Sequence, residues 1–435
     1  MSSFTSRELQ DLFASDWAWE MEDNPEFASQ SGEHDIVPVP GKELQDLSPS
    51  AYTARREHSQ QMLEAIRSIQ ATCSLSKTEA IYAALFERSH REICQAIDSA
   101  PMYLLPINSM MAGGVLFSFS ESIEWMRFES VGDFKLYLGR LKAYPRQINQ
   151  FIEAMRAGIA SGYVASTAMV RSVQQQMDDI LEGDLPDFVS PLNGDEATAI
   201  LSQEPGLRES LEEAIAGIKP ALRTFRDFYI AEYVSALRID PACSALPNGV
   251  DAYNILLKCH TTTDLTADEV HEIGLKEVAT IEARYINDVL LPLGFEPDQF
   301  SKFVEFVRHD PQFYVPTAEA LLDVYRTTCK KIEGLMPQYF NEIPRSPLEI
   351  TSKPGGPAAY YLAGTADGKR PGRFYVNVSH IEKRPVYENV SLSLHEAIPG
   401  HHHQASIALE NESIPNVRFK SISVFCFCYV VVCCE

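Results

Sequence analysis

Thr266-Ala-Asp-Glu-Val-His-Glu-Ile-Gly-Leu-Lys-Glu-Val-Ala-Thr-Ile-Glu-Ala-Arg-Tyr285 is the stretch on which the fold class turns. It opens with a capping box: the Thr266 hydroxyl can accept from the Glu269 N–H while the Glu269 carboxylate reaches back to the Thr266 N–H. Behind the box, Val270, Ile273, Gly274, Ile281 and Tyr285 are spaced to share one helical face. Pro292 and Gly294 then stop the helix. Residues 52–73, 131–160 and 207–237 carry the same polar and apolar rhythm, and no period of solenoid length is evident. The chain reads as mainly α.

The texture changes after Pro347. Ala358-Ala-Tyr-Tyr-Leu-Ala363 and Arg373-Phe-Tyr-Val-Asn-Val378 flank a loop holding Asp367-Gly368 and Pro371-Gly372. Aromatic and β-branched residues on both sides of such a loop predict a small β-hairpin. Residues 389–412 return to helix. At the other end, residues 1–48 are acidic and broken by Asn24-Pro25, Ser31-Gly32, Pro38 and Pro40-Gly41. They read as an extension crossing a surface, with one short helix around Arg7–Trp19. The expected organisation is an acidic extension (1–48), one large helical domain with a β-hairpin or small sheet (49–420), and an aberrant tail (421–435).

Composition narrows the partners. The 435 residues carry a formal net charge of −23, with 45% hydrophobic and 22% charged residues. So acidic a surface repels phosphate backbones and anionic lipid, which excludes nucleic acid and membrane surfaces as general partners and leaves peptides or other small substrates. The N-terminal MSSFTSRELQDLFASDWAWEMED has neither an apolar core of signal length nor the arginines of a transit peptide, which favours the cytoplasm. Cys73, Cys94, Cys243, Cys259 and Cys329 are scattered, as expected of reduced thiols. Cys426, Cys428, Cys433 and Cys434 instead crowd the end, in an apolar run over residues 422–434 that is shorter than the ~20 residues a membrane helix needs.

Chemistry concentrates in His395-Glu396-Ala-Ile-Pro-Gly-His401-His402-His403-Gln404. Imidazole is a good zinc ligand, and a neighbouring glutamate can serve as the base for an attacking water. The familiar HExxH spacing is absent, because position 399 is proline. On a regular helix His401 would be rotated roughly 120° from His395. Pro399, which has no N–H and collides with the carbonyl of His395, and Gly400, which permits unusual dihedrals, can swell the turn and bring His401 round. His402 regains the face of His395 but lies ~10 Å along a regular axis, so His401 is preferred as the ligand and His402 as its neighbour around the site. Read without metal, the same residues are a solvated histidine run.

This HEAIPGHHHQ resembles the HE-x-x-PGHH-x-Q signature of the family catalogued as domain of unknown function 885, a mostly helical, zincin-like group. The likeness extends through Tyr253–Arg284, with Thr261-Thr-Thr-Asp-Leu-Thr-Ala-Asp-Glu-Val270 and Gly274-Leu-Lys-Glu-Val278. It continues in Pro357-Ala-Ala-Tyr-Tyr361 and Arg370-Pro-Gly-Arg-Phe-Tyr-Val-Asn377, and more loosely in Leu104-Leu-Pro-Ile-Asn108 with Gly113-Gly114. The resemblance implies a gluzincin-like zinc hydrolase of the metallopeptidase type. His395 and His401 then take the ligand roles, Glu396 is the base, and Tyr360, Tyr361 and Arg370 are candidates to bind substrate or an oxyanion. His402 and Gln404 stand around the metal rather than on it.

The family pattern places a third, glutamate ligand in a later Glu-Gly-Trp-like helix, and no Glu-Gly-Trp follows in this sequence. Glu410 is a poor substitute, ~13 Å along a continuing helix from His401. Two rivals therefore stand beside the hydrolase: a non-catalytic truncated product, and a helical protein that binds a partner through its acidic surface. The capping, turn chemistry and motifs run in order up to Lys420 and stop there, so the coding sequence is expected to depart from this one near Lys420 and continue into a zinc-ligating helix. Sequencing the transcript across that junction checks it; a transcript that encodes Ser421–Glu435 as its normal terminus contradicts it.

Overall fold

A computed structural model describes residues 5–33, 38, 41–109, 119–120, 122–354, 357–365 and 368–411. The cysteine-rich tail and Gly113-Gly114 lie outside them. Of the described residues 68% are helical, with one small sheet among them, and they separate into two compact units, one up to Asp264 and one from Leu265 onward.

The first unit begins earlier than the turn residues suggest. Asn24-Pro25 breaks one helix only to start the next: α1 (Arg7–Asp23) ends there, and α2 (Pro25–Ser31) takes Asn24 as N-cap, its side chain accepting from the Phe27 N–H, with Pro25 in the first turn. Residues 7–31 are thus two packed helices rather than one helix in an extension. Leu9, Leu12 and Phe13 pack on Ile66 of α3 (Pro49–Thr72) and on Ala83 and Phe86 of α4 (Lys77–Ser99). Helix α5 (Val131–Ser161) is the axis of the main core. Phe134, Tyr137, Leu141, Tyr144, Ile148, Phe151 and Met155 fall at intervals of three and four and are all buried. The rhythm over residues 207–237 resolves into α6 (Leu207–Ala216) and α7 (Ile218–Phe228), split at Gly217.

The second unit opens with α8 (Ala267–Tyr285), whose capping box on Thr266 and Glu269 forms as the sequence requires, and Gly294 closes the following turns in the left-handed region. None of the residues of α8 is buried: Ile273, Leu275, Val278 and Ile281 are 47–57% exposed. Helix α9 (Ala318–Glu333) carries the buried stripe Leu321, Leu322, Tyr325 and Cys329. It packs on a sheet of β1 (Leu348–Lys353), β2 (Ala359–Leu362) and β3 (Gly372–Asn377) in the order β1-β3-β2. The expected hairpin is β2–β3, antiparallel, with Tyr361 opposite Phe374. β1 adds a parallel partner to β3, Leu348 opposite Gly372. Tyr325 meets Phe374 edge-on at 5.4 Å, and Ala359, Val376 and Ala397 complete this core. Sheet, α9 and the segment bearing His395 therefore share one apolar interior.

Glu79 ties the chain start to α4. It accepts from the Ser6 N–H (2.7 Å), the Thr5 N–H (2.6 Å) and the Ser76 N–H (2.8 Å) while buried. These donors, Ser6 foremost, hold its carboxyl down to about 2 from an ordinary 4.5. A depressed carboxylate contributes stability that is complete above 4.5 and is lost as pH falls through about 2. Glu79→Gln is expected to lower stability at neutral pH by about 1–3 kcal/mol and to flatten the acid limb of the stability curve. Denaturation at a series of pH values measures it, and curves that stay parallel in acid would refute the assignment.

Candidate metal centre

The segment over 389–412 does not form the single helix its composition suggests. A short helix, α10 (Asn389–Leu392), widens into a π turn over Ser393–Ala397, where the Ile398 N–H reaches back to the Ser393 carbonyl at 3.1 Å. Pro399 cannot extend the ladder, and Ile398 turns extended. A new helix, α11 (His401–Glu410), starts with Gln404 N–H on the Gly400 carbonyl (3.1 Å). At Gly400 the backbone doubles onto the preceding turn so closely that an added Cβ would sit 1.8 Å from the His395 carbonyl oxygen and 2.5 Å from that of Leu394. Only glycine fits there.

That close approach cancels the helical rotation between the two histidines. The rings of His395 and His401 stand perpendicular with centroids 4.8 Å apart, and His401 Nε2 lies 3.7 Å from Glu396 Oε2. Among the described residues, His395, Glu396 and His401 form the one trio of metal-binding side chains whose ligand atoms lie within 4.8 Å of one another. His395 faces solvent and His401 is partly open, whereas the Glu396 side chain is only 12% exposed. Burial raises the Glu396 carboxyl above its usual range, opposed by His395 and by an N–H donated from Tyr361. Burial, with His395 beside it, lowers His401, so its imidazole is neutral and its lone pair free.

His402 is occupied. It is 3% exposed, with Nε2 3.1 Å from the Ser346 carbonyl and Nδ1 3.1 Å from the Tyr361 hydroxyl. A nitrogen bonded to a carbonyl must carry the proton, so Nδ1 is the acceptor and neither nitrogen is left for a metal. Glu410 is likewise engaged: it accepts from the Arg345 and Ser346 N–H groups at 2.7 and 2.8 Å and pairs with the Arg345 guanidinium. Tyr360 points to the other face of β2, stacking on Tyr375 at 4.8 Å under Lys353. Arg370 sits in the β2–β3 loop, donating to the Ala363 carbonyl and, through its N–H, to Thr365. Gln404 is exposed. Of the sequence-derived residues, the structure gathers His395, Glu396, His401, His402 and Tyr361 and leaves Tyr360 and Gln404 apart. Sequence reasoning missed Ser346, Glu410 as a brace, and Gly372; a glycine opening a strand is the signal for the last.

The fold and site define a mainly α protein built around a histidine–carboxylate centre at a π turn beside a three-stranded sheet. The chain belongs to the family described as "Bacterial protein of unknown function (DUF885)", which it matches over residues 25–428. A solved protein of Colwellia psychrerythraea, described as a putative lipoprotein, is similar in fold with a TM-score of 0.81 at 18% identity, over 95% of this chain and 74% of that one. A solved protein of Shewanella oneidensis, described as a putative lipoprotein of unknown function, overlaps 91% of this chain and 70% of its own at 14% identity, with a TM-score of 0.49. No curated protein matches. Among the described residues no helix is long and apolar enough to cross a membrane.

Gly400→Ala is expected to dismantle the trio, since the colliding atoms are backbone and cannot swing away. Helical content should persist while His395 and His401 separate. Histidine ring NMR contacts between the two report it, and their retention in the variant would show that the turn tolerates a side chain.

Proposed function

We propose that this chain is a zincin-like, zinc-dependent hydrolase of the metallopeptidase type, acting on peptide bonds or similar small substrates in the cytoplasm. The observation that carries the reading is the convergence of His395, Glu396 and His401 at the π turn. The donor set suits zinc: two imidazoles, one neutral by burial, and a carboxylate, at a turn that only glycine can make. His395 and His401 would hold the ion. A third, carboxylate ligand is part of the proposal and is not among the described residues.

Zinc, when bound, supplies a Lewis acid that polarises the scissile carbonyl and makes water easier to deprotonate. The protein's own part falls to Glu396. Its carboxylate accepts the proton of the attacking water and returns it to the departing amine. Its raised pKa makes it a stronger base for that step than an exposed glutamate. Glu396 Oε2 faces His401 Nε2 at 3.7 Å.

The protein is expected to bind one zinc, and His395→Ala or His401→Ala should each remove it, as measured by metal content after dialysis. Glu396→Gln should keep the metal and lose at least ~10²-fold in turnover. Zinc content that survives His401→Ala would end the ligand assignment, and full activity in Glu396→Gln would remove that residue from the reaction.

A further inference from the structure

Strand β2 touches the centre through a single residue with two handles. The Tyr361 backbone N–H is among the groups that lower the Glu396 carboxyl. The Tyr361 hydroxyl, on the side chain that β2 turns toward α11, donates to His402 Nδ1 at 3.1 Å. Through its other nitrogen His402 is bonded to the Ser346 carbonyl at 3.1 Å, and the Ser406 hydroxyl lies 3.4 Å from Nδ1. The chain thus runs Tyr361–His402–Ser346, from one strand through the first turn of α11 to the residues leading into β1.

Gly372 shows that the fold makes room for this connection. A Cβ there would stand 2.3 Å from the Tyr361 hydroxyl and 2.6 Å from His402 Nδ1, at both ends of the same hydrogen bond. The backbone at this position is ordinary, so space accounts for the glycine.

We infer that Tyr361 is the positioning residue of the centre, rather than a substrate or oxyanion group; the inference rests on the zinc reading above. A tyrosine hydroxyl has one proton, and this one is directed at His402, leaving none for an oxyanion. His401 and His402 are adjacent on α11, so their side chains diverge by about 100°. Locking the His402 ring fixes the rotation of the helix, and with it the direction of His401. One residue of β2 thereby sets the direction of the second histidine.

Tyr361→Phe removes the hydroxyl and keeps both the ring and the N–H. Its zinc affinity should fall about 10- to 100-fold, the usual cost of losing a group that orients a ligand, with the stoichiometry still one. The absorption spectrum of the cobalt-substituted protein should change, and the 15N resonance of His402 Nδ1 should move as it loses its donor while Nε2 stays protonated on the Ser346 carbonyl, a readout that needs no metal. Gly372→Ala should reproduce the effect by pushing the same two atoms apart. Tyr360→Phe, on the opposite face of β2, should leave affinity unchanged. An unchanged His402 Nδ1 resonance in Tyr361→Phe, or a lower melting temperature with unchanged zinc affinity and cobalt spectrum, overturns the inference. If the unaltered protein takes up no zinc, the metal reading itself fails and this inference falls with it. Zinc uptake indifferent to Tyr361→Phe sinks the inference alone.

Discussion

At Gly400 two backbone segments occupy space that a side chain would otherwise fill. The chain leaves the π turn, passes Pro399, and returns within contact of the His395 carbonyl before α11 begins. Six residues of regular helix would have carried His401 away from His395. The added width of the π turn and the fold-back at Gly400 undo that rotation, and the remaining features of the site follow. His401 meets His395 and Glu396, His402 is turned into the interior, and α11 leaves in a direction that lets Glu410 reach Arg345 and Ser346.

The supports around this turn differ in strength. The Glu410 carboxylate accepts two backbone N–H groups, and hydrogen bonds to charged groups contribute about 1.5–3 kcal/mol each, while its pairing with the exposed Arg345 guanidinium adds about 0–1 kcal/mol. The neutral bonds of His402 contribute about 1 kcal/mol each, yet His402 is almost fully buried, so breaking one would leave an unsatisfied nitrogen and cost more than the bond gained. The far end of α11 is thus anchored by charge and its beginning by burial. Apolar packing of Ala397 with Phe374, Val376 and Tyr325 fixes the π turn to the sheet from beneath.

Much of this was legible in the residues. The capping box on Thr266 and Glu269, the long rhythm over Val131–Ser161, and the aromatic strands flanking Asp367-Gly368 obey local rules and appear as expected. The pairing of His395 with His401 was also legible, because proline and glycine have few alternatives in a turn. β1 was not, although Leu348 and Ile350 alternate with polar residues. A parallel strand depends on a partner more than twenty residues away, which local periodicity does not reveal. Asn24-Pro25 misled for a related reason: an Asn-Pro pair starts helices as well as turns, and packing of Phe27 and Met21 decides which. The orientations of Tyr360 and Tyr361 hang on strand register, which sequence leaves open by one residue.

The open face of α8 has a consequence for how copies of this protein meet. Ile273, Leu275, Val278 and Ile281 present apolar surface to solvent on a chain with a net charge of −23. At low ionic strength the like charges keep molecules apart. Their reach is the Debye length, about 10 Å at 0.1 M salt and about 3 Å at 1 M. Salt that shortens it leaves the attraction between apolar faces in place, and sulfate or phosphate strengthens it. Raising the ionic strength should then lower the second virial coefficient, and buffers chosen to keep a nucleic-acid binder in solution would drive this protein toward self-association.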